Sequence, residues 1–246
     1  PDINIADVEY PENMIYIPAA LDGIYSIDNL NETAIDPIMS PPQKFLIDKE
    51  NDEFIIPLGV YRSGLKSAKD IKVEIKIVSE QLNELIEDND LLDDAHILPR
   101  DKFFIGSSVL IPSDKRDASF ELAADFTYLH DNYPKKFLVA INVSSQDSES
   151  NEDLSTLILQ INTEIMIPVA KFDGSMTKEN KKNIKFTNLS EYALSYEWDF
   201  GDGVGVSTEK NPTYTYNTPG TYEVILSVTG IYGDVISNTV TFNISE

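Results

Sequence analysis

The chain has 246 residues, with 42 acidic against 19 basic side chains, a formal charge of −23 and 41% apolar residues. That is enough length and apolar content for one large or two ordinary packed domains. The acid excess argues against a phosphate-backbone partner, since nucleic-acid binding depends on Lys/Arg neutralisation, and it disfavours anionic membrane surfaces for the same reason. Cysteine is absent, which excludes disulfides, thiolate nucleophiles and cysteine metal sites.

Along the chain, the segment 28–44 contains Pro37, Pro41 and Pro42 and reads as a long loop. EFIIPLGVY (53–61) is the first long strand. IKVEIKIV (71–78) alternates most clearly, with Ile71, Val73, Ile75 and Ile77 on one face and Lys72, Glu74 and Lys76 on the other. A helix is predicted over about 80–94, with Ser79 as N-cap and Glu80 at its positive end. Leu82, Leu85, Ile86 and Leu92 form its apolar stripe, and Glu84, Glu87, Asp88 and Asp90 its solvated face. FFIGSSVLI (103–111), ASFELAA (118–124), KFLVAINVS (136–144) and LSTLILQIN (154–162) continue as strands, separated by polar turns. Short strands with polar turns predict a β-sandwich carrying one short helix.

Near 165 the charge changes: residues 1–164 carry a net −19 and residues 165–246 only −4. We read two domains, 1–164 and 165–246. In the second, IMIPVAKFD (165–173), KNIKFTNLS, LSYEWDF, PTYTYN, TYEVILSV and VISNTVTFNI give about six strands in about 80 residues, the rhythm of an immunoglobulin-like sandwich. The fold class is thus all-β, with two sandwiches in tandem. Trp198 is the only tryptophan and shares a strand face with Tyr196 and Phe200, which places it in the core. Asp199, Gly201, Asp202 and Gly203 then form a tight turn, with the carboxylates accepting from turn amides. A calcium site is the alternative for these acids, and a catalytic acid pair a more remote one.

KFTNLS, YEWDFGDG, EKNPTYTYNTPGTYEVILSVTG and VTFNIS, in that order, resemble the polycystic-kidney-disease (PKD) domain. The resemblance covers about 166–246. It implies a non-enzymatic extracellular module, Tyr216 and Tyr222 in the core, and Gly220 at the turn before the penultimate strand. Tyr214 stands where the family often has His and is read as a non-core position. DIKVEIKIVSEQLNELI, ILPRDKFFI, VLIPSDKRDASFEL and KKFLVAINV are similar to a domain of unknown function in surface lipoproteins of gut Bacteroidetes. Ser113 and Asp114 depart from its usual small-Gly pair. This resemblance implies a cell-surface, outer-membrane lipoprotein, whose only membrane attachment is a lipid anchor on a removed N-terminal segment.

His96 and His130 match no metal or triad spacing, and no phosphate loop or hydrolase motif occurs. No run of about 18 apolar residues suggests a membrane-spanning helix. No enzyme activity, cofactor or metal is expected, and the chain is expected to be a monomer. The remaining chemical resource is aromatic. Tyr192, in NLSEYALS, and Tyr232, in TGIYGDV, sit in loops that an immunoglobulin-like fold clusters at one end. The alternative for both rings is packing on their own loops. Polysaccharide is the expected partner of such rings. The other candidate partner is a surface protein, bound by an adhesion or scaffold module in which the PKD domain is a spacer.

Overall fold

A computed structural model describes residues 14–30, 44–64, 69–78, 82–83, 86, 94–177 and 181–245. The chain divides into two compact units, Pro1–Thr163 and Glu164–Glu246. Both are built from β-sheets.

In the first unit the strands are β1 (Met14–Tyr16), β2 (Ile24–Ile27), β3 (Leu46–Asp48), β4 (Glu53–Arg62), β5 (Ile71–Ile77), β6 (Ala95–Ile97), β7 (Phe103–Ile105), β8 (Ser108–Ile111), β9 (Asp117–Asp125), β10 (Lys136–Ser144), β11 (Glu149–Ser150) and β12 (Thr156–Asn162). One sheet runs β11-β1-β4-β9-β7, with β3 also on β4; the other runs β2-β12-β10-β5-β8, with β6 also on β10. The run Phe137–Ile141 on β10 is buried on both faces, as expected for a central strand with an unbroken apolar sequence. Leu138 and Ala140 on one face are covered by Leu82 and Ile86. Alternation turns Phe137, Val139, Ile141 and Val143 the other way, into the sandwich interior.

Of the helix predicted at 80–94, residues 82, 83 and 86 are described, and they are helical. Its N-cap, the rest of its stripe and its acidic face lie outside the described residues. So does most of the proline-rich loop. A second short helix, α1 (Phe126–Asp131), has no counterpart in the sequence pattern. Its six residues are too few for a 3.6-residue period to show, and its signal is the N-cap: the Asp125 side chain accepts from the Tyr128 amide at 2.7 Å. The single strand expected over 103–111 is two. β7 pairs with β9 in one sheet and β8 with β5 in the other, so Gly106 and Ser107 carry the chain from sheet to sheet.

The second unit has β13 (Phe172–Met176), β14 (Asn183–Asn188), β15 (Ser195–Asp199), β16 (Val206–Ser207), β17 (Thr213–Thr215), β18 (Gly220–Thr229) and β19 (Val235–Ile244). They form a three-stranded sheet, β13-β14-β17, and a four-stranded sheet, β16-β15-β18-β19. The strand absent from the sequence expectation is β16, which at two residues is too short to alternate visibly. The first strand also begins later than expected. Thr163–Met166 is a 3-10 turn, and β13 starts at Phe172. Pro168 lacks an amide donor, and the segment ahead of β13 is held by an isolated bridge of Val169 to Glu191 and by the Lys171 carbonyl, which accepts from the Leu189 amide at 2.8 Å.

The core of this unit contains Phe172, Ile184, Phe186, Trp198, Phe200, Tyr216, Val224, Leu226 and Val228. Trp198 is 2% exposed. Its ring meets Phe172 edge-on at 5.0 Å and lies 5.4 Å from Phe186, both on the opposite sheet. Its indole Nε1–H donates to the Glu209 carbonyl at 2.9 Å. Trp198→Ala is therefore expected to destabilise the second unit by about 3–5 kcal/mol, the range for a large core aromatic. Calorimetry should show the transition of residues 164–246 shifted down and that of the first unit unchanged; a wild-type profile would place the indole outside the core.

Candidate functional site

The turn after β15 gathers several polar contacts. Trp198 and Phe200 point inward, so Asp199 points out, and its Oδ1 accepts from the Gly201 amide at 2.9 Å. Asp202 turns back: Oδ1 accepts from the amides of Val204 (3.1 Å) and Gly205 (2.8 Å). Its Oδ2 accepts a hydrogen bond from the Tyr214 hydroxyl. Gly201 has φ +79°, and a Cβ there would lie 2.2 Å from the Glu223 carbonyl oxygen of β18. Only glycine lets the loop press this closely on the sheet.

Tyr214, read as a non-core position, lies at the margin of the core: its half-buried ring stacks on Phe200 at 4.1 Å and meets Tyr216 edge-on at 5.0 Å. A Tyr packed in this way needs a partner for its hydroxyl, and Asp202 supplies one. The hydrogen bond from Tyr214 holds the Asp202 carboxyl below its usual range, helped by the Gly205 amide. The same bond, with burial, pushes the Tyr214 phenol up to about 12. Burial chiefly raises Tyr216 as well, and its hydroxyl donates to the Phe200 carbonyl at 2.9 Å. Tyr216 lies in the core. Tyr222 is only half-buried, stacked on Tyr216 at 4.2 Å, with its hydroxyl donating to the Thr218 carbonyl at 2.9 Å. Gly220 is the first residue of β18, and it lacks the left-handed backbone that marks Gly201 and Gly203.

Tyr192 lies between β14 and β15, and Tyr232 between β18 and β19. Ser195 pairs with Thr229, and the Leu194 amide donates to the Thr229 carbonyl at 2.8 Å, so both loops emerge at the same end. Each ring is half-buried. Tyr192 has φ +54°, uncommon for a residue other than glycine. The incoming segment also crosses this end: Val169 pairs with Glu191, and Pro168 packs against Gly230.

The PKD-like pattern of this half of the chain has known relatives. A family model described as PKD domain matches residues 166–245. Residues 166–245 form a PKD domain. A stretch of 103 residues, 40% of this chain, is 36% identical to the pre-pro-metalloprotease PrtV of Vibrio cholerae, and covers 11% of that protein's length. The crystal structure of the PKD1 domain from Vibrio cholerae metalloprotease PrtV is 34% identical, with 32% of this chain and 98% of that chain covered and a TM-score of 0.30. A two-domain protein of unknown function from Bacteroides fragilis matches 99% of this chain and 100% of its own at 8% identity and a TM-score of 0.47.

On the outer face of the four-stranded PKD sheet lies an open depression of about 560 Å³, lined among others by Glu197, Asp199, Val206, Thr208, Ile225 and Ser227. Among the described residues that line it, no second carboxylate is set opposite Asp199 across a cleft, since Glu197 and Asp199 lie on the same strand face. Among the described residues no group of three or more His, Asp or Glu side chains is placed to hold a metal ion.

The turn sets a pH dependence and a metal response. Tyr214 keeps its proton more tightly folded than unfolded, so its contribution to stability is full below pH 10.0 and lost as pH rises through about 12. In a spectrophotometric tyrosine titration, Asp202→Asn should move one late-ionising phenol down toward 10.0. An unaltered curve would mean that Asp202 is not its cause. Since the turn amides and Tyr214 already engage the Asp199 and Asp202 carboxylates, a chelator should leave the melting temperature of the PKD domain unchanged. Millimolar calcium should add only the small, diffuse effect of charge screening. A large rise saturating at micromolar calcium and lost in Asp202→Ala would contradict this.

Proposed function

We propose that the protein is a non-catalytic cell-surface module that captures polysaccharide. The observation that carries this reading is the occupation of the Asp199–Asp202 pair. The most conspicuous acids of the sequence serve the turn: Asp199 Oδ1 and both oxygens of Asp202 accept from groups of their own domain. A general acid or base needs a group free to reach the reacting atom, and both oxygens of Asp202 are already bonded within the turn. A PKD domain beside an acidic β-sandwich fits a binding and presenting role. A place at the cell surface goes with that role, because polymers too large to cross an outer membrane are met there. A net charge of −23 keeps such a protein soluble and repels anionic surfaces.

Within the PKD domain, Tyr192 and Tyr232 are the candidate contact. A sugar's C–H face stacks on a ring while its rim hydroxyls stay hydrogen-bonded. Each ring should contribute on the order of 1 kcal/mol. The Tyr192→Ala/Tyr232→Ala variant should therefore be retained about tenfold to thirtyfold less by a polysaccharide affinity gel. Retention should not change with salt, because neither contact is ionic. Equal retention of variant and wild type would remove these rings from the site. Failure of the wild type on every polysaccharide would favour the adhesion-scaffold role, with the PKD domain as spacer.

A further inference from the structure

In β7, Phe103 and Ile105 are buried, and Phe104 between them is 69% exposed, the most exposed aromatic ring among the described residues. Scattered exposed aliphatics are ordinary, but a benzyl ring left this open invites a use. Register sets its neighbours. Phe104 pairs with Ala123 on β9, Ala123 with Ile55 on β4, and Ile55 with Leu46 on β3. Paired residues share a face, so these four form one apolar row across the outside of the sheet. The methyl of Ala123 is its low point and leaves a trough beside the ring.

Two residues along the same face runs a polar row: Asp125, Glu53 and Asp48, again paired strand to strand. Lys102 extends it, its Nζ 3.0 Å from Asp125 Oδ2. The row is held in place. Asp125 also caps α1, and Asp48 accepts from the Glu50 and Asn51 amides. The side chains of Glu53 and Asp101 have no hydrogen-bond partner among the described residues. The depression lined by Phe104, Ala123, Glu53, Asp101, Lys102 and Asp125 measures about 330 Å³. Small-molecule sites span about 300–1,000 Å³, so it suits one or two sugar rings rather than a protein surface.

We infer that this trough is a saccharide subsite for an uncharged glycan. The C–H face of a sugar ring lies on Phe104, its hydroxyls donate to Glu53 and Asp101, and Lys102 donates to a sugar oxygen. Carboxylates accept hydrogen bonds only, so the row matches a ligand rich in hydroxyl donors. It repels uronate or sulfate groups, as does the rest of this acidic chain. The inference rests on the glycan-capture reading and adds a contact in the first unit.

Affinity gels made with neutral polymers (a β-glucan, an α-mannan, a galactan) and with polygalacturonate test it. Wild type, Phe104→Ala, Phe104→Trp and Tyr192→Ala/Tyr232→Ala are run side by side, each with its melting curve. Phe104 is exposed, so its variants should melt like wild type. At least one neutral polymer should retain wild type, Phe104→Ala should lose about fivefold, and Phe104→Trp should keep or improve retention. Polygalacturonate should retain none. If wild type is retained and Phe104→Ala is retained equally, the subsite is wrong while glycan capture stands. If no polymer retains wild type, glycan capture itself fails and the subsite with it. Stronger retention on polygalacturonate than on the neutral gels would overturn the charge argument.

Discussion

Trp198 joins the two sheets of the PKD domain from both its apolar and its polar side. The ring lies against Phe172 and Phe186 of the three-stranded sheet, while its backbone pairs with Leu226 in the four-stranded one. Its Nε1–H fixes the Glu209 carbonyl in the segment that leads to β17. A side chain held at both ends leaves β15 one facing. Asp199 must then point outward and Phe200 inward, and the chain must turn at once. The left-handed Gly201, the Asp202 bonds to the turn amides and the Tyr214 hydroxyl contact all follow from that placement. The acids are thus part of the means by which a large buried ring is kept in register.

The first unit answers the same problem differently. β10 is apolar on both faces, so it needs a cover on each. The facing sheet supplies one, and the helical residues Leu82 and Ile86 the other. The proposed subsite lies on the outside of the other sheet. There β3, β4, β9 and β7 bring an exposed ring and a row of carboxylates side by side. The Lys102–Asp125 pair is exposed enough to contribute little to stability, but it orients both groups at the rim of the trough.

The two units divide the acid unevenly, and this bears on partners. The PKD domain carries a small share of the charge and uses its most prominent acids internally. The first unit carries most of the excess, and Glu53 and Asp101 stand ready to accept beside an apolar strip. Ring stacking is indifferent to ionic strength, whereas carboxylates select against anions. In the proposed subsite the two together would favour neutral polymers over charged ones.

Much of the fold is legible in the residues alone. Alternation marks β4, β5 and β12, an unbroken apolar run marks β10, and the YEWDFGDG segment marks the inward Trp198 and the turn after it. Those features are local: a period of two and a glycine-rich turn act over a few residues. Pairing at a distance is not legible in this way. FFIGSSVLI has the pattern of one strand, but its halves join different sheets, since β9 and β5 offer separate edges to them. The packing of Tyr214 is not legible either, because its partners, Phe200 and Asp202, lie more than ten residues upstream. Phe104 looks like any strand aromatic, because alternation says that it faces opposite to Phe103 without saying which face is covered. The sequence by itself determined the longer strands and the all-β class, because alternation acts over a few residues. The tertiary structure decided which faces stay open, because burial depends on what packs against a strand.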